Sequence, residues 1–495
     1  MERAFDQVAV DVLRESASRI IDKALSSFLD NIFTRLEAIA VFPRVRPGSI
    51  LRCPSEVFTL IFHCVFVGLE PVTSSFRIQR AKLSLVCKFW NQVIVGDPSL
   101  WQNMFLTPEV EGDLVNRLLT ISAQYPLSVY LVDLDYSARY GLIERTTAFL
   151  SVFHRVFVSS HRWVNLEVVT ASPYAHKAML DHVDDASCPA LRSLTIRSPS
   201  HSQTLAATPM AITVYSSGLY RLVLHRCNFP EAFPALLPNL RVLSVSDLPT
   251  VHSPTQDHLF AFLRTAPCLD RLELVRVGIR VYPDVPAPAV QQLHLPSVTT
   301  LILAFNVAVH PARAFFQILR YLETPNLQHL HLGLPTDSDL KHYLGSHSML
   351  RAPSVSLAGR IFDSLMIHLL FATFSGVVVL DVVDADRPAV VWQIGSIFAA
   401  GQHPSMVVLP SLRVLRLRPH KRLESLRDVL KIRSEKAVAV ARLEMVPHLG
   451  VQVDGPADRS HAFALLLPFV GDLVWGERRV YETHEILRYA GEEPH

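Results

Sequence analysis

Apolar and polar positions through the middle and C-terminal parts of the chain repeat an eight-residue pattern, Pro-x-Leu-x-x-Leu-x-Leu. It reads Pro189-Ala-Leu-Arg-Ser-Leu-Thr-Ile196, Pro238-Asn-Leu-Arg-Val-Leu-Ser-Val245, Pro267-Cys-Leu-Asp-Arg-Leu-Glu-Leu274 and Pro325-Asn-Leu-Gln-His-Leu-His-Leu332, and residues 296–303 and 410–417 follow it. Without the proline, the same apolar triplet stands at Trp163/Leu166/Val168, Leu219/Leu222/Leu224, Val377/Leu380/Val382 and Val440/Leu443/Met445, making ten copies. Apolar residues two apart predict short strands with one face buried. The middle residues of the triplets are spaced by 28, 28, 21, 29, 29, 29, 50, 35 and 28, and the 50 divides into two steps of 25 if Ala352/Val355/Leu357 is a degenerate copy. Pro238, Pro267, Pro296 and Pro325 recur at 29.

Steps of this size are those of leucine-rich repeats. Each triplet is then a strand lining a shared interior, and the connecting residues return along the outside. No unit can bury its apolar face alone, so the units stack into a curved solenoid. An ordinary α/β domain with Leu-rich strands is the alternative, disfavoured because the register holds through the proline as well as the leucines. Return helices are predicted at residues 256–265, from Leu259, Phe260 and Leu263, and at 312–322, from Phe315, Ile318 and Leu322. The Asn or Cys of the repeat consensus, five residues after the middle Leu, appears only as Cys227 and Asn306, which predicts an irregular arc. The polar neighbours of the middle leucines should line the concave face, where such arrays bind partners. Those target-binding candidates are Arg197, His225, Arg271, Glu273, His329, His331, Asp381, Arg416 and Arg418, with Arg442 and Glu444 beside them.

Upstream the period changes from two to 3.6. Ile21, Leu25, Phe28, Ile32, Leu36 and Ile39 predict an amphipathic helix that Pro43 and Pro47 end. Pro54 then opens a helix with Glu56 in its first turn, and Val57, Leu60, Ile61 and Cys64 share a face flanked by Phe58 and Phe62. A second helix is predicted over about residues 79–95, from Leu83, Val86, Cys87, Trp90 and Ile94, stopping near Gly96. Asp97 or Ser99 can cap a short turn that holds Trp101.

In order, Cys53-Pro54-Ser55-Glu56-Val57, Leu60-Ile61-Phe62, Leu85-Val86-Cys87-Lys88-Phe89-Trp90 and Asp97-Pro98-Ser99-Leu100-Trp101 resemble an F-box. Cys53 stands where an F-box usually has Leu, and residues 67–77 make a longer connection than usual. The whole is most similar to F-box proteins of mushroom-forming fungi, in which the box is followed, as here, by a Pro-Leu-Ser-Val strand (residues 126–129), a Ser-His-Arg-Trp segment (160–163) and leucine-rich repeats. The resemblance implies a substrate-recognition adaptor: the box docks on the Skp adaptor of an SCF-type cullin-RING ubiquitin ligase and the solenoid holds a protein target. On this sequence the adaptor-binding candidates are Pro54, Val57, Leu60, Ile61, Phe62, Val86, Trp90, Leu100 and Trp101. Trp90 and Trp101 have the alternative of stacking inside the box.

Composition narrows the remaining classes. Lys plus Arg is 47 against 45 for Asp plus Glu, so no excess of positive charge is present to track a phosphate backbone, and nucleic acid is not expected as a partner. Apolar residues at 49% with 19% charged exclude a largely disordered chain. The six cysteines include no Cys-x-x-Cys pair, which fits reduced, mostly buried thiols. The N-terminus shows no basic head followed by an apolar stretch, so a cytoplasmic or nuclear location is expected. The uncharged residues 364–380 break at Gly376 into a β-branched run, reading as a buried helix and strand instead of a membrane span. Phosphate loops, zinc-protease and nucleophile-elbow motifs are absent. His329 and His331 share a strand face without a Cys or acidic partner in register, so no metal and no cofactor are expected.

The fold class expected is therefore α/β: an N-terminal helical F-box-like module followed by an irregular leucine-rich-repeat solenoid, parallel strands inside and helices and loops outside. Its parts are a helical segment at 1–45, the box at 46–106, the solenoid at 107–450 and a cap or tail at 451–495. The expected protein is a non-enzymatic adaptor; the alternative is a ligase-independent interaction scaffold with a degenerate box.

Overall fold

The computed structural model describes residues 54–67, 75–133, 142–170, 172–180, 182–183, 188–198, 218–227, 229, 237–248, 254–277, 292–304, 321–333, 352–358, 376–382, 411–417, 423–435, 440–445 and 465–475. The helix expected over residues 21–39 lies outside them. The chain forms two compact units, residues 1–70 with 75–100, and residues 101–495 with 71–74.

In the first unit, α1 (Ser55–Val67), α2 (Ser75–Ser84) and α3 (Lys88–Gly96) are followed by a 3-10 turn starting at Pro98. The single helix expected over residues 79–95 is two helices. The break falls at Leu85–Cys87: the Ser84 hydroxyl donates to the Arg80 carbonyl at 2.6 Å, competing with the helix backbone. Cys87 is extended (φ −161°, ψ 166°), and its Sγ accepts from the Trp90 amide at 3.5 Å, so it caps α3 where a continuous helix would have placed it inside.

The second unit is built on one parallel sheet of 14 strands: β1 (Asn103–Leu106), β2 (Leu127–Val132), β3 (Trp163–Val169), β4 (Ser193–Arg197), β5 (Arg221–His225), β6 (Val242–Ser246), β7 (Arg271–Val275), β9 (Thr300–Ala304), β11 (His329–Gly333), β12 (Ser354–Ala358), β13 (Val379–Val382), β14 (Val414–Leu417), β15 (Val440–Met445) and β16 (Val470–Trp475). Spatial order equals sequence order, and every pair is parallel, so each repeat adds one coil of a solenoid. β8 (Leu293–His294) and β10 (Leu322–Glu323), 29 residues apart like the repeats around them, pair in a second small sheet. Leu322, expected to end a helix, is in β10; residues 312–320 of that helix lie outside the described set.

Register explains the spacing rule. Val129, Leu166, Leu194, Leu222, Leu243, Leu272, Leu301, Leu330, Val355, Leu380, Leu415, Leu443 and Leu473 stand side by side across the sheet, all buried. The degenerate copy at Ala352/Val355/Leu357 is thus a true strand, and the sheet runs beyond the ten recognised copies at both ends. Each fully buried Leu contributes about 2 kcal/mol by removal from water.

The repeated proline has a local cause. In each of five repeats it is the second residue of a β-turn: the amides of Leu191, Leu240, Leu269, Val298 and Leu327 donate to the carbonyls of Cys188, Leu237, Ala266, Leu295 and Thr324 at 3.1–3.3 Å. Proline's fixed φ suits that position. The turn delivers the first leucine of the triplet inward just before the strand begins.

On the outer side, α4 (Gly112–Ile121), α5 (Leu142–Phe157) and α6 (Pro173–Leu180) pack in sequence, α4 on α5 and α5 on α6. Phe149, Val152, Phe153 and Val156 give α5 a buried stripe at helical spacing. α7 (Gln256–Arg264) fills the site of the expected 256–265 helix, capped by the Thr255 hydroxyl on the His258 amide at 3.2 Å, and α8 (Leu423–Glu435) precedes β15. The Ser-His-Arg-Trp segment serves the core: Trp163 packs against Phe153 and Phe157, while Arg162 donates to the carbonyls of Tyr125 (2.9 Å) and Ser122 (3.1 Å). Cys227 substitutes for the consensus Asn by donating its thiol to the His225 and Ile196 carbonyls, and burial pushes that thiol's pKa up to about 12. Among the described residues no helix is long and apolar enough to cross a membrane. Cys87, Cys188, Cys227 and Cys268 are not in disulfides; Cys188 and Cys227 are buried and Cys268 is exposed.

Candidate functional site

Apolar residues on α1 point in two directions. Phe58, Phe62 and Val65, at i, i+4 and i+7, are the inward face. They meet Phe89 and Trp90 of α3 in an aromatic nest, with ring centroids 5.2 Å apart for Phe58–Phe89 and for Phe62–Trp90, both edge to face. Ile94, Leu83 and Leu100 complete this small core. Val57 and Leu60 lie on the other side, exposed, with Leu60 at 64%.

Polar contacts tie the 3-10 turn to the helices. Asp97 Oδ1 accepts from the Ser99 amide (2.9 Å) and hydroxyl (2.6 Å), forming the cap expected for the Trp101 turn. The Ser99 hydroxyl also lies 2.9 Å from His63 Nε2 on α1, and Arg80 of α2 donates to the Leu100 carbonyl at 3.3 Å. Burial works to raise the Asp97 pKa, but hydrogen bonds from Ser99 and Thr59 and the nearby His63 outweigh it and hold the carboxyl below its ordinary value. The serine gives its proton to the carboxylate and not to the imidazole, which is the contact pattern of a cap, not of an activated nucleophile.

These contacts sort the nine adaptor-binding candidates. Pro54, Val57, Leu60 and Val86 are exposed, and Ile61 is half-buried. Phe62 and Leu100 are corrections: both are buried in the unit's own core, because α1 and the Pro98 turn each turn their larger apolar side inward. Trp90 is half-buried in the aromatic nest, the stacking alternative. Trp101 is also half-buried, packed against the core of the second unit. Sequence reasoning missed Ile78 and Leu85, of which Leu85 is 85% exposed, and Val95. The signal for Leu85 was the helix break: Ser84 and Cys87 are capping-type residues bracketing a Leu-Val pair, so the pair sits in a turn and not on a helix face.

The row expected to line the concave face, one residue after each middle leucine, runs Tyr130, Glu167, Thr195, Val223, Ser244, Glu273, Ile302, His331, Ser356, Asp381 and Arg416. Its centre, from Thr195 to His331, is buried, which corrects the expectation for Glu273 (2% exposed) and His331 (7%). The next row on the same face is made of smaller residues there, Ser246, Val275, Ala304 and Gly333. A Cβ on Gly333 would come within 2.7 Å of the Ala304 Cβ. Arg271 turns its guanidinium onto Glu273 at 2.5 Å. Arg197 lies 3.2 Å from Glu167, whose pKa burial raises despite Arg197 and Arg221. His225 contacts the Ser246 hydroxyl at 2.9 Å and lies 3.4 Å from Asp247, which also holds Arg276 at 2.5 Å. His329 is exposed, Asp381 and Arg416 are half-buried register partners, and Arg442 is exposed. The Glu444 side chain and Arg418 lie outside the described residues. Among the described residues no group of three or more His, Cys, Asp or Glu could hold a metal.

Two surfaces therefore differ in what they offer a partner. The helical unit offers exposed aliphatics and the solenoid offers polar groups. Residues 50–107 match the F-box-like family model, a span that takes in α1, α2, α3 and the Trp101 turn and runs past β1. The chain thus carries an F-box-like domain, and domains of this kind generally bind the Skp adaptor. No curated protein matches the chain.

Proposed function

We propose that this chain is a substrate-recognition adaptor of an SCF-type cullin-RING ubiquitin ligase, its F-box-like unit docking on the Skp adaptor and its solenoid holding a protein target. The chain itself catalyses no reaction in this reading and works in the cytoplasm or nucleus. The carrying observation is that a domain matching the F-box-like family leaves Leu60 and Leu85 exposed beside a core that is already filled. A helix apolar on both sides is stable where both sides are covered. Each such side chain newly buried by a partner contributes about 1.5–3 kcal/mol.

The test is recovery of the Skp adaptor by the full chain and by a Leu60→Asp, Leu85→Asp variant. Both positions are exposed, so the variant should stay folded, and the charges should abolish recovery. Equal recovery by folded variant and parent would end the proposal; recovery by neither would favour a scaffold that has left the ligase.

A further inference from the structure

The edge at which the chain enters β4, β5 and β6 carries exposed positive charge. Arg192, Tyr220 and Arg241 occupy the same position in three successive repeats, two residues before the middle leucine, and Arg221 follows Tyr220. The backbone there is pinned: the amides of Tyr220 and Arg221 both donate to the Arg192 carbonyl (2.7 and 3.0 Å), and those of Arg241 and Val242 to the Tyr220 carbonyl (2.9 and 3.0 Å). All four side chains are exposed, Tyr220 at 46%. Among the described residues, the guanidiniums of Arg192, Arg221 and Arg241 make no hydrogen bond or ion pair within 4.0 Å. Arg221 feels Glu167, whose closer partner is Arg197. The next residue along the edge, Asp270, has its carboxylate engaged by the Thr299 hydroxyl at 2.5 Å.

We infer that this edge binds an acidic segment of a protein, which on the ubiquitin-ligase reading above is part of the target. Charge complementarity favours an acidic occupant. Arg192 and Arg241, with no carboxylate partner among the described residues, stand with Arg221 on a rigid scaffold in a chain whose net charge is only +2. Arginine's planar fork pairs two-pronged with carboxylates, and no lysine stands among them. Neighbouring strands lie about 4.8 Å apart, so Arg192 and Arg241 are separated by about 10 Å, the length of roughly three extended residues. Tyr220 between them supplies a flat surface on which the segment's backbone or an aliphatic side chain can lie. A peptide crossing the strands with acidic residues two or three apart meets both outer arginines.

The experiment measures fluorescence anisotropy of short labelled oligoglutamate and oligoglutamine peptides with the full chain. It compares an Arg192→Ala, Arg241→Ala variant with an Arg117→Ala, Arg264→Ala variant of equal net charge, altered at exposed helix positions. Oligoglutamate should bind and oligoglutamine should not; the edge variant should lose about tenfold in affinity while the control changes less than about twofold. Absence of oligoglutamate binding, equal loss in both variants, or tighter binding of a short oligouridylate RNA overturns the inference. Recovery of the Skp adaptor is measured on the same preparations. Intact recovery without peptide binding removes the edge and leaves the ligase reading standing. Peptide binding lost at the edge variant, but without adaptor recovery, keeps the edge and removes the ligase reading.

Discussion

The helical unit and the solenoid handle apolar surface in opposite ways. Among the described residues, 54–100 leave six large apolar side chains exposed, Val57, Leu60, Ile78, Leu85, Val86 and Val95, against five in the whole remainder. The solenoid hides its leucines because each strand finds the next repeat beside it, and its own neighbours complete every coil. Three short helices cannot do this: once Phe58, Phe62, Trp90 and Ile94 fill the small interior, further aliphatics have nowhere to go but outside. One region is closed by its own neighbouring repeats and the other leaves apolar side chains open to solvent.

The largest effect that would sharpen this contrast is in the ladder. Leu272→Ala should cost about 3–5 kcal/mol in chemical unfolding, since Leu272 is fully buried between strands on both sides and the row cannot collapse into the void. A cost below about 1 kcal/mol would mean that the row is loosely packed.

The second test concerns His176 on α6, fully buried, whose pKa burial lowers from 6.5 to about 4 despite a backbone hydrogen bond to Arg197. The unfolded chain then binds the proton more readily than the folded one. This histidine therefore costs nothing above pH 6.5, and its penalty grows to about 3 kcal/mol as pH falls to about 4. Unfolding measured against pH should show a steeper acid loss for the parent than for His176→Gln. Parallel curves would contradict the burial argument.

Next comes the helical unit. Leu60→Asp should weaken Skp-adaptor binding by about 2 kcal/mol while changing unfolding stability by no more than about 0.5 kcal/mol. Phe62→Ala should show the reverse emphasis, losing about 3 kcal/mol of stability, with adaptor affinity falling only as the folded fraction falls. If calorimetry finds the two variants alike, the inward and outward faces of α1 are not distinct.

The smallest effect is at Ala123, in the turn after α4, where φ is 46°. An L side chain is strained there, so Ala123→Gly should raise stability by about 0.5–1 kcal/mol, opposite in sign to the usual cost of glycine. A lowered melting temperature would show that the turn relaxes.

Legibility in the sequence followed the same division. The repeat register was readable because burial on one face of a parallel strand forces period two, and the proline adds a turn that each coil needs. Even the degenerate copy at Val355 was visible from spacing alone. Strands β1 and β16 were missed, since Met104 and Leu473 lie in segments without the Pro-x-Leu entry. In the box, the motif order was readable. The facing of Phe62 and the break at Leu85 were not, because α1 is apolar on both sides and periodicity cannot say which side a small core will claim.

The amino-acid order by itself determined the register of most of the stacked units and the presence of an F-box-like module, since both rest on local period and turn chemistry. Tertiary structure alone decided which polar positions are open. Glu273 and His331 share the strand position of Arg416 yet are buried at the centre of the sheet, whereas Arg192, Arg221 and Arg241 stand exposed at its edge. Alternation tells which face of a strand a side chain takes; whether that face meets solvent depends on what the rest of the coil brings against it.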